Sequence, residues 1–190
     1  MARYHGVTTE TVKRLFVDAG AVYLNYDELD ERLLGATRGG NTFTIEQDVR
    51  EIEVDGARGP VKGLRRIIEV RAQIVANLLE MTTENLKAAL AGATVDENTN
   101  TTHDIITREL TIKDSDYLKN VALVGEISGS QEPVICIVKN ALADGNFSVN
   151  TADKDEAGIE VTFTGHFDPE NLDEEPWEIR FPKMAGGGGS

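Results

Sequence analysis

Residues 41–80 read NTFTIEQDVREIEVDGARGPVKGLRRIIEVRAQIVANLLE, and the way this stretch folds decides the architecture. From Asn41 onward the apolar residues fall first on odd positions (Phe43, Ile45, Val49) and then on even ones (Ile52, Val54). The faces of a strand alternate strictly, so the change of phase predicts a bulge or strong twist near Arg50 and Glu51. A glycine-rich, basic loop follows at 56–63, GARGPVKG. Over 64–80, Ile68, Val70, Ala72, Ile74, Ala76 and Leu78 share one face on period two, with Glu69, Arg71, Gln73 and Asn77 on the other. A helical stripe through Ile67, Ile74, Val75, Leu78 and Leu79 is broken by Arg71, which favours the strand. The two strands, joined by the loop, exceed the usual strand length of about 5–6 residues. Such length calls for a special reason.

Working outward, 17–26 and 31–37 read as two strands joined at Asp27-Glu28-Leu29-Asp30, a hairpin. The segment 82–92 predicts a helix: Thr82 can cap it, Glu84 suits the positive end of its dipole, Leu86, Ala89 and Leu90 form an apolar face, and Gly92 suits the left-handed position past its end. So short a helix must pack on a sheet to persist. Further strands are expected at 104–112, 120–128, 134–141, 147–150 and 159–167, separated by Ser128-Gly129-Ser130, Asp144-Gly145-Asn146 and Asp155-Glu156-Ala157-Gly158. The chain is expected to be mainly β with one prominent helix.

Composition narrows the function. The 190 residues hold 33 Asp and Glu against 19 Lys and Arg, a net of −14. Nucleic-acid affinity comes mainly from cations that displace counterions, so a grip on the phosphate backbone is not expected. The charge is split: residues 1–80 carry 11 bases and 13 acids, a net of −2, and residues 81–190 carry 8 and 20, a net of −12. The ten carboxylates from Asp153 to Glu178, with Lys154 as the one base, make a solvated surface or one that repels a polyanion. No run approaches the roughly 18 apolar residues of a membrane span, and the start lacks a signal-peptide run, so no membrane partner and synthesis in a cytoplasm are expected. Residues 1–14 are read as an N-terminal arm, 15–184 as a single domain, and 185–190 as a Gly/Ser tail that resembles an appended linker.

The candidate chemistry motifs fail. Gly35-Ala36-Thr37-Arg38-Gly39-Gly40-Asn41-Thr42 imitates a phosphate-binding loop, but Asn41 replaces the lysine and a strand follows instead of a helix. Asp153-Lys154-Asp155-Glu156-Ala157-Gly158 imitates a calcium loop, with Ala157 at a ligand position and Thr164 where the bidentate Glu belongs. Cys136, inside Val134-Ile135-Cys136-Ile137-Val138, reads as a buried, inert thiol. His5, His103 and His166 form no metal-ligand pattern, and His166 reads as solvent-facing or hydrogen-bonded. No catalytic residue, metal or cofactor is expected.

The segments from 17 to 26 (VDAGAVYLNY), 33 to 40 (LLGATRGG) and 53 to 63 (EVDGARGPVKG) resemble, in order and combination, the major tail tube proteins of long-tailed, non-contractile bacteriophages. The resemblance is carried by residues of about 15–90, and the rest agrees in its β-rich pattern. It implies a β-sandwich or barrel-like fold with one flanking α-helix and long tube-lining strands. Six subunits would form a ring, and rings would stack into a conduit in the virion tail through which DNA leaves without specific binding. Partners would be further copies of the chain and the tape measure, tail terminator and tail tip proteins. Glu46, Asp48, Glu69, Arg71, Gln73 and Asn77 become the candidate lumen face, while Ile68, Val70, Ile74 and Leu78 face the helix. Arg58, Gly59, Pro60 and Lys62 become candidates for contact between subunits, with Arg58 and Lys62 meeting carboxylates of the C-terminal half. Alternatives are the tube protein of a contractile injection or type VI secretion machine and a β-sandwich binding module. Such a module would ordinarily display aromatics on a groove, whereas Trp177 is the one tryptophan and aromatics are 6% of residues.

Overall fold

The alternation in 41–80 does produce two long paired strands, and the rest of the chain wraps around one end of them. A computed structural model describes residues 6–8, 10–152 and 155–183. The strands are β1 (Phe16–Leu24), β2 (Arg32–Leu33), β3 (Thr37–Glu51), β4 (Arg65–Leu78), β5 (Ala93–Asp96), β6 (Ile105–Arg108), β7 (Leu118–Ile127), β8 (Val134–Ala143), β9 (Val149–Ala152), β10 (Asp155–Thr164) and β11 (Trp177–Arg180), with one α-helix, α1 (Thr83–Ala88). Nine strands form one antiparallel sheet in the order β2-β1-β7-β8-β10-β4-β3, with β11 added to β8 and β9 to β10, while β5 and β6 make a separate ribbon.

This sheet folds over on itself, and β8 is where it turns. One edge of β8 pairs with β7, whereas the other is divided, β11 taking Ile135 to Val138 and β10 taking Leu142 and Ala143. Between the two lies Asn140 with φ +46, a left-handed conformation that asparagine tolerates better than other residues with a Cβ. Its Nδ2 donates to the His166 carbonyl at 3.2 Å, and its own carbonyl lies 3.1 Å from His166 Nδ1, so the turn is held in place. Val138 points into the core before the turn, and Ala141 and Ala143 do so after it.

At the opposite margin, residues 34–36 cross from one half of the sheet to the other. Leu34 N donates to Val22 O at 2.8 Å, and Ala36 O accepts from Leu79 N at 2.9 Å. The result is a shell of antiparallel strands around Val22, Leu24, Ala72, Ile74, Leu78, Val121, Val138, Ile159 and Phe163, all 1% exposed or less. Each large aliphatic side chain so buried contributes about 1.5–3 kcal/mol.

Helix α1 closes one end of the shell. Thr82 Oγ1 accepts from Asn85 N at 3.1 Å, the expected cap. The helix stops at Ala88, short of the expected end at Ala91, and Gly92 uses its φ of +69 in a following turn. Asn85 is buried: its Nδ2 donates to Leu34 O at 2.8 Å and to Glu80 O at 3.3 Å, and its Oδ1 accepts from Arg32 Nη1 at 2.7 Å. Burial also lowers the Arg32 guanidinium below its ordinary pKa.

Other expectations need correction. The strand expected at 31–37 shrinks to Arg32–Leu33, because 34–36 serves as the crossing between sheet halves. The strand expected at 104–112 covers only Ile105–Arg108, and β5 and β11 were not foreseen. Of the N-terminal arm, Thr11–Arg14 forms a 3-10 turn tied to the shell, with the Ser128 hydroxyl donating to Val12 O and Ser128 N donating to Leu15 O at 3.0 Å. Residues 185–190 lie outside the described residues.

Candidate functional site

The site expected from the sequence lies on β3, β4 and the loop between them. The β10–β4 pairing ends at Thr164 opposite Gln73, and Gly165 N makes one more bond, to Ala72 O at 2.9 Å. Among the described residues, β4 beyond that point has only β3 beside it, while β3 is the last strand of the sheet. Residues 46–51 and 65–70 therefore form a two-stranded arm that projects from the shell, closed by 52–64. Its apolar side chains are uncovered: Val49 is 41% exposed, Ile67 56% and Ile68 64%.

The arm carries the foreseen bulge, at a different place. Asp48 pairs with Glu69 and Val49 with Ile67, so Ile68 is the extra residue and it belongs to β4. The alternation alone predicts the irregularity near Arg50 and Glu51, because Ile52 and Val54 break it. Those two residues lie past the end of β3, in the loop. A second irregularity at the root of β3 places Gly39 and Gly40 at φ +89 and +91, with Asn77 Nδ2 donating to Gly40 O at 3.2 Å. The phosphate-loop look-alike is thus the beginning of a strand, with no helix behind it.

All six candidate lumen residues share one face. Glu46 stands opposite Arg71, Asp48 opposite Glu69 and Thr44 opposite Gln73, and Asn77 continues the same row. β10 adds Glu160, Thr162 and Thr164 to it. Arg71 Nη2 lies 3.3 Å from Glu69 Oε1, and Gln73 Nε2 donates to Thr164 Oγ1 at 3.0 Å, whose hydroxyl donates to Asp144 Oδ1 at 2.6 Å. The opposite face divides: Ile74 and Leu78 are core, whereas Ile68 projects in the bulge and Val70 is half-buried at the root of the arm. Ile68 and Val70 therefore do not face α1. The reason is length, since fourteen residues of β4 span about 45 Å at about 3.3 Å each, and α1 covers one end only.

Arg58, Gly59, Pro60 and Lys62 are exposed in the connecting loop, which is braced by Ile52 N donating to Leu64 O at 2.8 Å. Among the described residues, Arg58 and Lys62 make no ion pair with the C-terminal carboxylates of their own chain. Those carboxylates in part have other partners: Glu174 pairs with Lys139, Glu178 with Arg180 at 2.7 Å, and Arg180 also reaches Asp27 at 2.6 Å. The Arg180 hydrogen bond holds the Glu178 carboxyl below its usual pKa.

The cleft lined by Glu28, Lys119, Lys139, His166, Glu174 and Arg180 has walls of mutually paired charges. His166 packs edge-on against Tyr117 at 5.2 Å. Cys136 is half-buried, and burial pushes its thiol pKa up, away from thiolate reactivity. Among the described residues there is no group of three His, Cys, Asp or Glu that could hold a metal, and no helix long and apolar enough to cross a membrane. Asp153 and Lys154 of the calcium-loop look-alike lie outside the described residues. Compared with models of known protein families and with curated protein sequences, the chain matches none.

Proposed function

We propose that the chain is a self-assembling structural protein, the subunit of a phage tail tube of the kind its sequence resembles. One observation carries this reading: the 46–51/65–70 arm stands outside the core with Val49, Ile67 and Ile68 uncovered and, among the described residues, no third strand beside it. A two-stranded ribbon on its own is marginal in water. A long exposed edge also invites pairing with other chains, which single-chain proteins suppress with short strands, proline or bulges. Here, despite the bulge at Ile68, the pairing runs on to Glu51 and Arg65 and the edge stays long. Such an arm becomes stable where further copies cover its apolar side chains and pair with its edges.

On this reading six copies close a ring and rings stack into the tail conduit, with tape measure, terminator and tip proteins as further partners. The face bearing Glu46, Asp48, Glu69, Arg71, Gln73 and Asn77 lines the bore. With Glu160 it offers four carboxylates against Arg71 and, in the outermost row, Arg50 and Arg66, so the face has no net positive charge with which to hold a passing phosphate backbone, and DNA slides. Electron microscopy of the concentrated, purified protein is expected to reveal rings or tubes with a central channel. A protein that sediments as a monomer at high concentration would overturn the proposal.

A further inference from the structure

The outer rows of the arm carry an internal conflict. Asp48 stands directly opposite Glu69, and one same-face row further out Arg50 stands directly opposite Arg66. Like charges in directly opposed positions destabilise a strand pair, and this pair has no core beneath it. Arg71 leans towards Glu69, but Arg50, Arg65 and Arg66, like Arg58 and Lys62 in the loop, have no carboxylate within ion-pair distance among the described residues. Residues 50–66 hold five bases against three acids, a positive tip on a chain of net −14.

The register identifies what lies at the other end. β4 runs from the arm into the shell, and Gln73 to Leu78 pair with Thr164 to Ile159, so β10 begins at the end remote from the arm. The β9–β10 hairpin and α1, which follows β4, lie at that end too. There Glu84 and Glu160 are exposed and, among the described residues, neither has a cation within ion-pair distance, although the Arg32 guanidinium feels the charge of Glu84. Copies repeated head-to-tail along the strand axis bring the positive tip of one against these two carboxylates of the next, and a contact of that kind propagates into an open stack.

We propose that Arg50 and Arg66 of one copy pair with Glu84 and Glu160 of a second copy, and that this contact joins one ring to the next while covering Val49, Ile67 and Ile68. The inference rests on the self-assembly reading and adds the partner surface and its register. Charge pairs across an interface fix orientation and reject wrong registers.

A charge-swap series tests it. The variants R50E/R66E and E84K/E160K each place like charges across the contact. Each is expected to raise the protein concentration needed for tubes by about tenfold or more. All four changes in one chain restore the pairs with reversed sign and are expected to bring tubes back near the wild-type concentration. The four side chains are exposed, and unchanged thermal melts confirm that each variant folds. The proposal is overturned if either pair variant forms tubes as readily as wild type, or if the fourfold swap fails to restore them. It is equally overturned if R50E/R66E tubes form normally but lose retention on immobilised duplex DNA, which would assign the arginines to a polyanion. A wild-type chain that never assembles instead removes the tube reading on which the inference stands.

Discussion

Asn85 joins three parts of the closed end of the shell. A buried amide is costly unless its hydrogen bonds are made, and this one bonds the crossing segment at Leu34, the start of the helical turn at Glu80 and the Arg32 guanidinium. Asn85→Ala leaves the Leu34 carbonyl and the half-buried Arg32 without that partner. It is expected to lower unfolding free energy by about 2–3 kcal/mol, whereas Thr82→Ala, which removes only the cap, costs about 1 kcal/mol. Denaturant titration of the two variants checks the order. Equal losses would mean that Asn85 acts only through the helix. The role of Asn85 was not legible in the sequence, because an asparagine in a short polar helix reads as a surface residue and its main partner lies 51 positions away. The cap itself was legible, since Thr82 and the apolar positions after it are local signals.

The β3–β4 hairpin separates shell from arm. Pairing with β10 and burial of Ala72, Ile74, Ala76 and Leu78 hold the inner half, while the outer half rests on its own ladder. Replacing 52–64 with Asn-Gly, the two-residue turn that suits the twist of a hairpin, is therefore expected to leave the thermal melt of the shell nearly unchanged and to abolish assembly. Scanning calorimetry and sedimentation together check this, and a shortened chain that still assembles would remove the loop from the interface. The strands were readable because alternation ran for many residues, and so was the shared polar face of Glu46, Asp48, Glu69, Arg71, Gln73 and Asn77. The position of the bulge was not, since an extra residue on β4 at Ile68 leaves each strand's own pattern nearly intact and appears only in the register between them. β11 escaped notice because WEIR alternates for just four residues at the end of an acidic run, and its pairing with Cys136 and Ile137 is long-range.

At the scale of the whole chain, closure of the shell through β8 and residues 34–36 leaves different parts with different local stability. Amides of β7 and the first half of β8 are bonded between strands that carry the buried Val121, Ala122, Ile137 and Val138, so they are expected to open only with global unfolding. Those of the arm belong to a ribbon that can fray while the shell remains folded. Hydrogen exchange should therefore divide the protomer in two, with residues 46–51 and 65–70 exchanging fast and residues 121–124 and 135–138 slowly. If assembly covers the arm, its amides are expected to slow by about a hundredfold or more in the assembled state, as they do when a local opening becomes coupled to a larger cooperative unit. The shell amides should hardly change. Uniform protection of both regions in the protomer would mean that the arm already has its stabilising contacts within one chain. A protected arm in the assembly beside a labile one in the protomer would tie the uncovered Val49, Ile67 and Ile68 directly to the contact between copies.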